Sequence, residues 1–115
     1  MAATTTAIGR AGEARAQRFY VAHGYAIVAA NVRVARVEVD LVVRRGAELL
    51  FVEVKTKRGD EFGDPLEMVD ERKLRRLRRA AETWLALHPD DRRCDVAIEV
   101  LALRPGGIER VRDTG

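Results

Sequence analysis

Glu38-Val39-Asp40-Leu41-Val42-Val43-Arg44-Arg45-Gly46-Ala47-Glu48-Leu49-Leu50-Phe51-Val52-Glu53-Val54-Lys55-Thr56-Lys57 is the stretch whose reading decides the fold. Two apolar, β-branched runs flank a polar break at Arg44-Arg45-Gly46-Ala47, the pattern of a hairpin whose two strands are largely buried. The charges sit in unusual places. Asp40 interrupts the first run and Glu53 and Lys55 the second, yet core strands rarely carry charge unless it is paired or binds something. Side chains alternate along a strand, so Glu53 and Lys55 share one face while Val52 and Val54 take the other. Loop length then decides where Asp40 lies. A two-residue loop with Gly46 at one end sets it opposite Phe51 and diagonal to Glu53, whereas a four-residue loop sets it directly opposite Glu53. Either register gathers two carboxylates and an ammonium.

Two carboxylates that close repel unless a cation lies between them, and oxygen ligands of this kind suit Mg2+ or Mn2+. The plainer alternative is one buried salt bridge between Asp40 and Lys55, with Glu53 at a strand end in water. Basic-residue usage bears on the choice. Arginine supplies 18 of the 21 basic residues, yet two of the three lysines are Lys55 and Lys57. A desolvated lysine can move a proton, which arginine effectively cannot.

Asp40 followed after a short hairpin by Glu53-Val54-Lys55 resembles the PD-(D/E)xK nuclease pattern, and the surrounding string resembles the YraN family of small proteins. The matching residues are Gly12-Glu13, Gly24-Tyr25, Asn31-Val32-Arg33, Glu38-Val39-Asp40-Leu41, Phe51-Val52-Glu53-Val54-Lys55-Thr56, Phe62-Gly63-Asp64-Pro65 and Asp95-Val96, so the resemblance spans about Gly9 to Val100. The bare Asp and Glu-x-Lys motif is weakly specific; the ordered set is strong. Val37 departs from the family, which usually carries glycine there, and could alter the bend into Asp40. The resemblance implies a restriction-endonuclease-like core and metal-dependent hydrolysis of phosphodiester bonds in DNA. Structured or branched DNA in repair or recombination is the implied substrate, as for Holliday-junction resolvases, which work as homodimers. Asp40, Glu53 and the Val54 carbonyl would hold Mg2+ or Mn2+, and Lys55 would orient water or neutralise charge on the phosphate. In similar resolvases a glutamate of the first helix joins the metal site, which points to Glu13. The bland reading of Glu13 is a surface residue paired with Arg10 or Gln17. Gln17, one turn further, could also face the site, and Glu38 shares a face with Asp40. The competing function is a module that binds nucleic acid or protein without chemistry, its nuclease site vestigial.

Composition agrees with a nucleic-acid partner without requiring one. The 115 residues suit one domain, 1–115, with 47% hydrophobic and 34% charged residues and a net charge of +3. A single cysteine, Cys94, excludes an intramolecular disulfide and a cysteine-rich zinc site, and fits a reducing compartment. Neither a signal peptide nor an apolar run long enough for a membrane span is visible, so the expected location is cytoplasmic, with no membrane partner.

Taken in order, residues 1–6 read as a frayed start and residues 7–23 as a helix, with Thr6 as N-cap and Gly24 just past its end. Gly12, Ala16, Phe19, Tyr20 and His23 make its apolar stripe. His23 and His88 lack metal-ligand companions and read as structural. Strands are expected at residues 25–34, 37–44 and 48–57, then a connecting loop at 58–65 that could carry substrate contacts. A long helix at residues 66–87 buries Leu74, Leu77, Ala81, Trp84 and Leu85. Its opposite face projects Arg72, Arg75, Arg76 and Arg79, which with Lys57 are the candidate phosphate contacts, although a solvated arginine face is common. A fourth strand at 94–103 and an edge strand at 108–112 follow. Hairpins joining three strands, then a helical crossover to a fourth, predict a mixed α/β sheet with helices on its faces.

Overall fold

The computed structural model describes residues 5–57 and 69–113, with side chains from residue 9 onward. The elements are α1 (Thr5–Ala22), β1 (Ala26–Val34), β2 (Val37–Arg45), β3 (Glu48–Thr56), α2 (Glu71–Leu87), a 3-10 turn (Pro89–Asp91), β4 (Asp95–Arg104) and β5 (Gly107–Asp113). One five-stranded sheet runs in the order β1-β2-β3-β4-β5. All neighbours are antiparallel except β3 and β4, which are parallel because α2 carries the chain back across the sheet between them. The expected mixed α/β order is thus observed.

The helices cover opposite faces. Leu74, Leu77, Ala80, Ala81 and Trp84 of α2 pack against Val42, Leu49, Phe51, Ile98 and Val100. Ala16 and Tyr20 of α1 pack against Leu41, Val43, Leu50, Val52, Leu101 and Leu103. Burial on both faces is why β2 and β3 read as near-continuous apolar runs. One detail of the packing positions the site. Val37 and Val39 face α2, but past Asp40 it is Val42 that does so, while Leu41 and Val43 face α1. The alternation of β2 therefore changes phase at Asp40. Val37 is itself a buried core residue.

Several element ends differ from the sequence expectation. α1 already contains Thr5 and Thr6, so Thr6 is not its cap, and residues 1–4 of the expected frayed start lie outside the described residues. The helix stops at Ala22 and leaves His23 exposed instead of on the stripe, its Nδ1 2.7 Å from the Phe19 carbonyl. Gly24 closes the end as expected, at φ 85. α2 begins at Glu71 and not near residue 66, because Asp70 caps it by accepting the Lys73 N–H at 2.7 Å. The loop at 58–65, Phe62 to Pro65 included, lies outside the described residues. Gly12 lets α1 approach β3, since a Cβ there would meet Thr56 Oγ1 at 2.8 Å. That closeness fixes where the next residue, Glu13, can reach.

A second charged cluster on the α1 face is structural. Glu99 is 0% exposed, and accepts hydrogen bonds from Tyr20 Oη at 2.7 Å, Arg110 Nε at 2.8 Å and Arg112 Nε at 3.0 Å. These bonds satisfy a buried carboxylate and tie the edge strand β5 to the core. Burial, then the charge of Glu99, pushes the Tyr20 phenol far above its usual range. Tyr20 therefore stays protonated in the fold while the unfolded chain ionises near pH 10, so its stabilisation is full below about pH 10 and is lost above it. Tyr20→Phe should cost about 1.5–3 kcal/mol at neutral pH by chemical denaturation. It should also remove the steepest part of the alkaline stability loss. An alkaline profile identical to wild type would show that the phenol is not the group responsible.

Candidate functional site

Arg45 pairs with Glu48 across a two-residue loop, Gly46-Ala47, with Gly46 at φ 58. The loop falls one residue later than the two-residue loop that would place Asp40 opposite Phe51. Pairing therefore runs through Leu41 and Val52, and continuing it sets Asp40 beside Glu53. At that point the Val54 N–H donates to Asp40 Oδ2 at 2.8 Å. The side chain of Asp40 is held by the backbone of the strand that carries Glu53.

Glu53 is 7% exposed and lies between two lysines. Lys55 Nζ is 3.8 Å from Oε1, and Lys73 Nζ, from the first turn of α2, is 3.8 Å from Oε2. Neither distance is a hydrogen bond, and Oε2 is a buried oxygen with no hydrogen-bond partner among the described residues. The salt-bridge alternative is not what the structure holds. Lys55 sits against Glu53 and not Asp40, and Glu53 is in the interior and not in water.

Glu13 reaches the same neighbourhood from α1. Its Oε2 accepts a hydrogen bond at 2.9 Å from Nδ2 of Asn31, instead of pairing with Arg10 or Gln17. Asn31 falls between the Ala30–Leu41 and Val32–Val39 pairs, which sets it across from Asp40, and it adopts φ 50. Asparagine tolerates that left-handed conformation better than most residues. Sequence reasoning counted Asn31 among the residues of the resemblance but gave neither it nor Lys73 a place in the site. Lys73 has a legible cue, since an aspartate three residues before it marks a helix start and so places the lysine in a first turn. Asn31 has none, because nothing in a β-rich string marks a left-handed residue.

Glu38 is exposed at the start of β2, and its charge acts on both Asp40 and Glu53. Gln17 lines an outer groove of α1 with Glu13 and makes no hydrogen bond to Asp40 or Glu53. Arg72, Arg75, Arg76 and Arg79 are all exposed, but only Arg76 and Arg79 border the cleft beside the carboxylates. Lys57 follows β3, its N–H bonded to the Leu103 carbonyl at 2.8 Å.

The electrostatics are those of two acids taken out of water, with Glu53 also facing the charge of Asp40. Burial raises the Asp40 pKa, with Glu13 and Glu38 adding to it and the Val54 N–H and Lys73 offsetting part. Burial likewise raises Glu53, reinforced by Asp40 and partly offset by Lys73 and Lys55. Among the described residues, no three histidine, cysteine, aspartate or glutamate side chains converge on one metal position. Two carboxylates remain, one buried oxygen of which accepts no hydrogen bond among the described residues. Mg2+ typically uses one or two carboxylates and completes its shell with water and phosphate oxygens, so this donor set fits Mg2+ or Mn2+.

Fold and site together define a mixed α/β domain with a carboxylate pair and two lysines at the β2–β3 junction. The chain belongs to the family described as "Uncharacterised protein family UPF0102", whose model matches residues 12–99. It is 43% identical over 106 residues to UPF0102 protein STH1475 of Symbiobacterium thermophilum, covering 91% of this chain and 88% of that protein. It is 45% identical over 114 residues to a UPF0102 protein of Beutenbergia cavernae, covering 95% and 96%. Frankia alni protein FRAAL5785 is 51% identical over 83 residues, covering 72% of this chain and 69% of that protein. None of these descriptions names an activity, so the chemistry must be argued from the site.

The raised pKa values fix the sign of a pH effect. Both carboxyls bind protons more tightly folded than unfolded, so the cost of holding them charged in the interior is absent at low pH and grows as pH rises through the ordinary carboxylate range of about 4. In EDTA at neutral pH, Asp40→Asn should melt above wild type, and the gap should close below about pH 4. Added Mg2+ or Mn2+ should raise the wild-type melting temperature, by about 2.7 kcal/mol of stabilisation at a hundred times its Kd. Asp40→Asn and Glu53→Gln should not respond. If Asp40→Asn melts higher and no protein responds to either ion, the pair repels without a ligand.

Proposed function

We propose that this chain is a metal-dependent nuclease of the PD-(D/E)xK type, hydrolysing phosphodiester bonds of DNA. The observation that carries it is the buried Oε2 of Glu53, without a hydrogen bond among the described residues, beside Asp40 and with Lys55 on the same strand face. Structural carboxylates are normally paired when buried, as Glu99 is. An acid that desolvation and a neighbouring acid both oppose is what a cation site needs.

Asp40, Glu53 and the Val54 carbonyl are the groups that would hold Mg2+ or Mn2+. Such an ion, when bound, polarises a phosphate oxygen and acidifies water at neutral pH. The residues of the chain do the positioning. The Val54 N–H bond keeps Asp40 turned toward β3, so the two carboxylates present a fixed pair of oxygens. Glu13, held by Asn31, adds a third negative charge at the edge of the pair. Lys55 lies beside Glu53 with its ammonium partly in solvent, where it can hold a water or a non-bridging phosphate oxygen. In hydrolysis the water oxygen bonds to phosphorus, the ester P–O bond breaks, and the departing alkoxide is protonated. Negative charge builds on the phosphate during that exchange, and a fixed ammonium stabilises it most at the transition state. Structured or branched DNA is the substrate to test first, by the likeness to Holliday-junction resolvases, and such an enzyme would act as a homodimer.

One observation favours the rival reading of a binding module without chemistry: no third acidic ligand joins Asp40 and Glu53 among the described residues. Lys55→Ala separates the two. It should abolish cleavage, by roughly a hundredfold or more, while metal and DNA binding stay near wild type. The assay should offer flaps, four-way junctions, nicked duplex and single strands in Mn2+. Purified Lys55→Ala that cuts as well as wild type would mean a contaminant or a different active site, and a wild type that binds but cuts none of the four would favour the module.

A further inference from the structure

The turn between β1 and β2 faces the first turns of α2 across a cleft of about 390 Å3. Arg36 lines it from the turn, Lys73, Arg76 and Arg79 line it from the helix, and Glu38 is the one acid on its wall. Four cations against one carboxylate make it strongly positive. Lys73, on the wall of the cleft, also lies 3.8 Å from Glu53 Oε2, which links the cleft to the carboxylate pair. Arg36, Arg76 and Arg79 are exposed and enter no hydrogen bond or ion pair among the described residues.

The turn supplies an independent observation. Val34 pairs with Val37, leaving Ala35 and Arg36 as a two-residue loop with φ 50 and φ 65. Hairpins of this kind ordinarily use asparagine and glycine, which take the left-handed region with little strain; alanine and arginine do not. A strained residue is retained where its position serves something. Among the described residues the Arg36 guanidinium makes no hydrogen bond or ion pair, so it is free to meet a ligand in the cleft. Along α2, Lys73 and Arg79 are separated by about 9 Å of axial rise. That is long enough to meet successive phosphates of one strand.

We propose that this cleft binds the phosphodiester backbone of one DNA strand. Arg36 grips it from the strained turn, Arg76 and Arg79 grip it from α2, and Lys73 leads it onto Asp40 and Glu53. The proposal rests on the nuclease reading and adds to it the path of the strand and Arg36 as a binding residue.

The test is fluorescence anisotropy of a dye-labelled twenty-nucleotide oligothymidine strand in EDTA, over a range of salt. Wild type should bind, with an affinity that falls linearly in a log-log plot against salt. Arg36→Gly should weaken binding about tenfold and make the slope shallower by about one, the loss of one phosphate contact. Its melting temperature should be unchanged or higher, because glycine accepts φ 65. Arg79→Gln should weaken binding similarly without touching the turn, and Arg93→Gln, an exposed arginine just before β4, should bind as wild type. Folded Arg36→Gly and Arg79→Gln proteins that bind like wild type with the same slope would overturn the proposal, as would a wild type that binds no oligothymidine. Because EDTA removes metal, the outcome is separate from catalysis. A variant that loses binding while wild type cuts nothing in Mn2+ keeps the cleft and sinks the nuclease, whereas variants that bind normally beside an active wild type sink the cleft alone.

Discussion

The hydrogen bond from the Val54 N–H to Asp40 Oδ2, 2.8 Å long, is the constraint on which the site depends. It joins the side chain of one strand to the backbone of its neighbour at the point where the β2–β3 pairing ends. A backbone donor cannot be moved by a rotamer change, so Asp40 is fixed relative to Glu53, two carboxylates are forced together, and burial raises the pKa of both. The phase change of β2 at Asp40 has the same origin in place. A strand that kept its alternation would direct residues 38, 40 and 42 to one face and 39 and 41 to the other, whereas here Val39 and Val42 share the α2 face.

The contrast with Glu99 shows what the interior does with a charge it means to keep quiet. Glu99 has three side chains donating to it and joins β5 to the sheet. Glu53 is nearly as buried, yet its two ammonium neighbours stand off at 3.8 Å and one of its oxygens has no hydrogen bond among the described residues. Both carboxylates lie in central strands of the same sheet, so burial alone does not account for the difference. The surroundings of Glu99 neutralise it fully; those of Glu53 leave room for something more.

Much of this was legible in the chain. Near-continuous apolar runs with a glycine break gave the hairpin, and the 3.6-residue stripe of Leu74, Leu77, Ala81 and Trp84 gave α2 and its buried face. Asp40, Glu53 and Lys55 stood out because charge in an apolar run is rare. The order of elements, with one helical crossover, was enough for a mixed sheet. What was hidden depended on three-dimensional register or on backbone angles. Shifting the loop by one residue moves Asp40 from Phe51 to Glu53, and the sequence Arg45-Gly46-Ala47 permits both positions. Asn31, Ala35 and Arg36 carry positive φ where no glycine announces it. Lys73 reads as one more cation on a basic helix until the cap at Asp70 fixes the helix start and turns that position toward Glu53.

The central claim is that the space between Asp40 and Glu53 is a divalent-cation site. Its most direct measurement is a crystal grown or soaked in Mn2+, with diffraction data collected for the anomalous signal of manganese. The account predicts an anomalous peak bounded by Asp40, Glu53 and the Val54 carbonyl. No peak there, with Lys73 closed onto Glu53 Oε2 at hydrogen-bond distance, would contradict it.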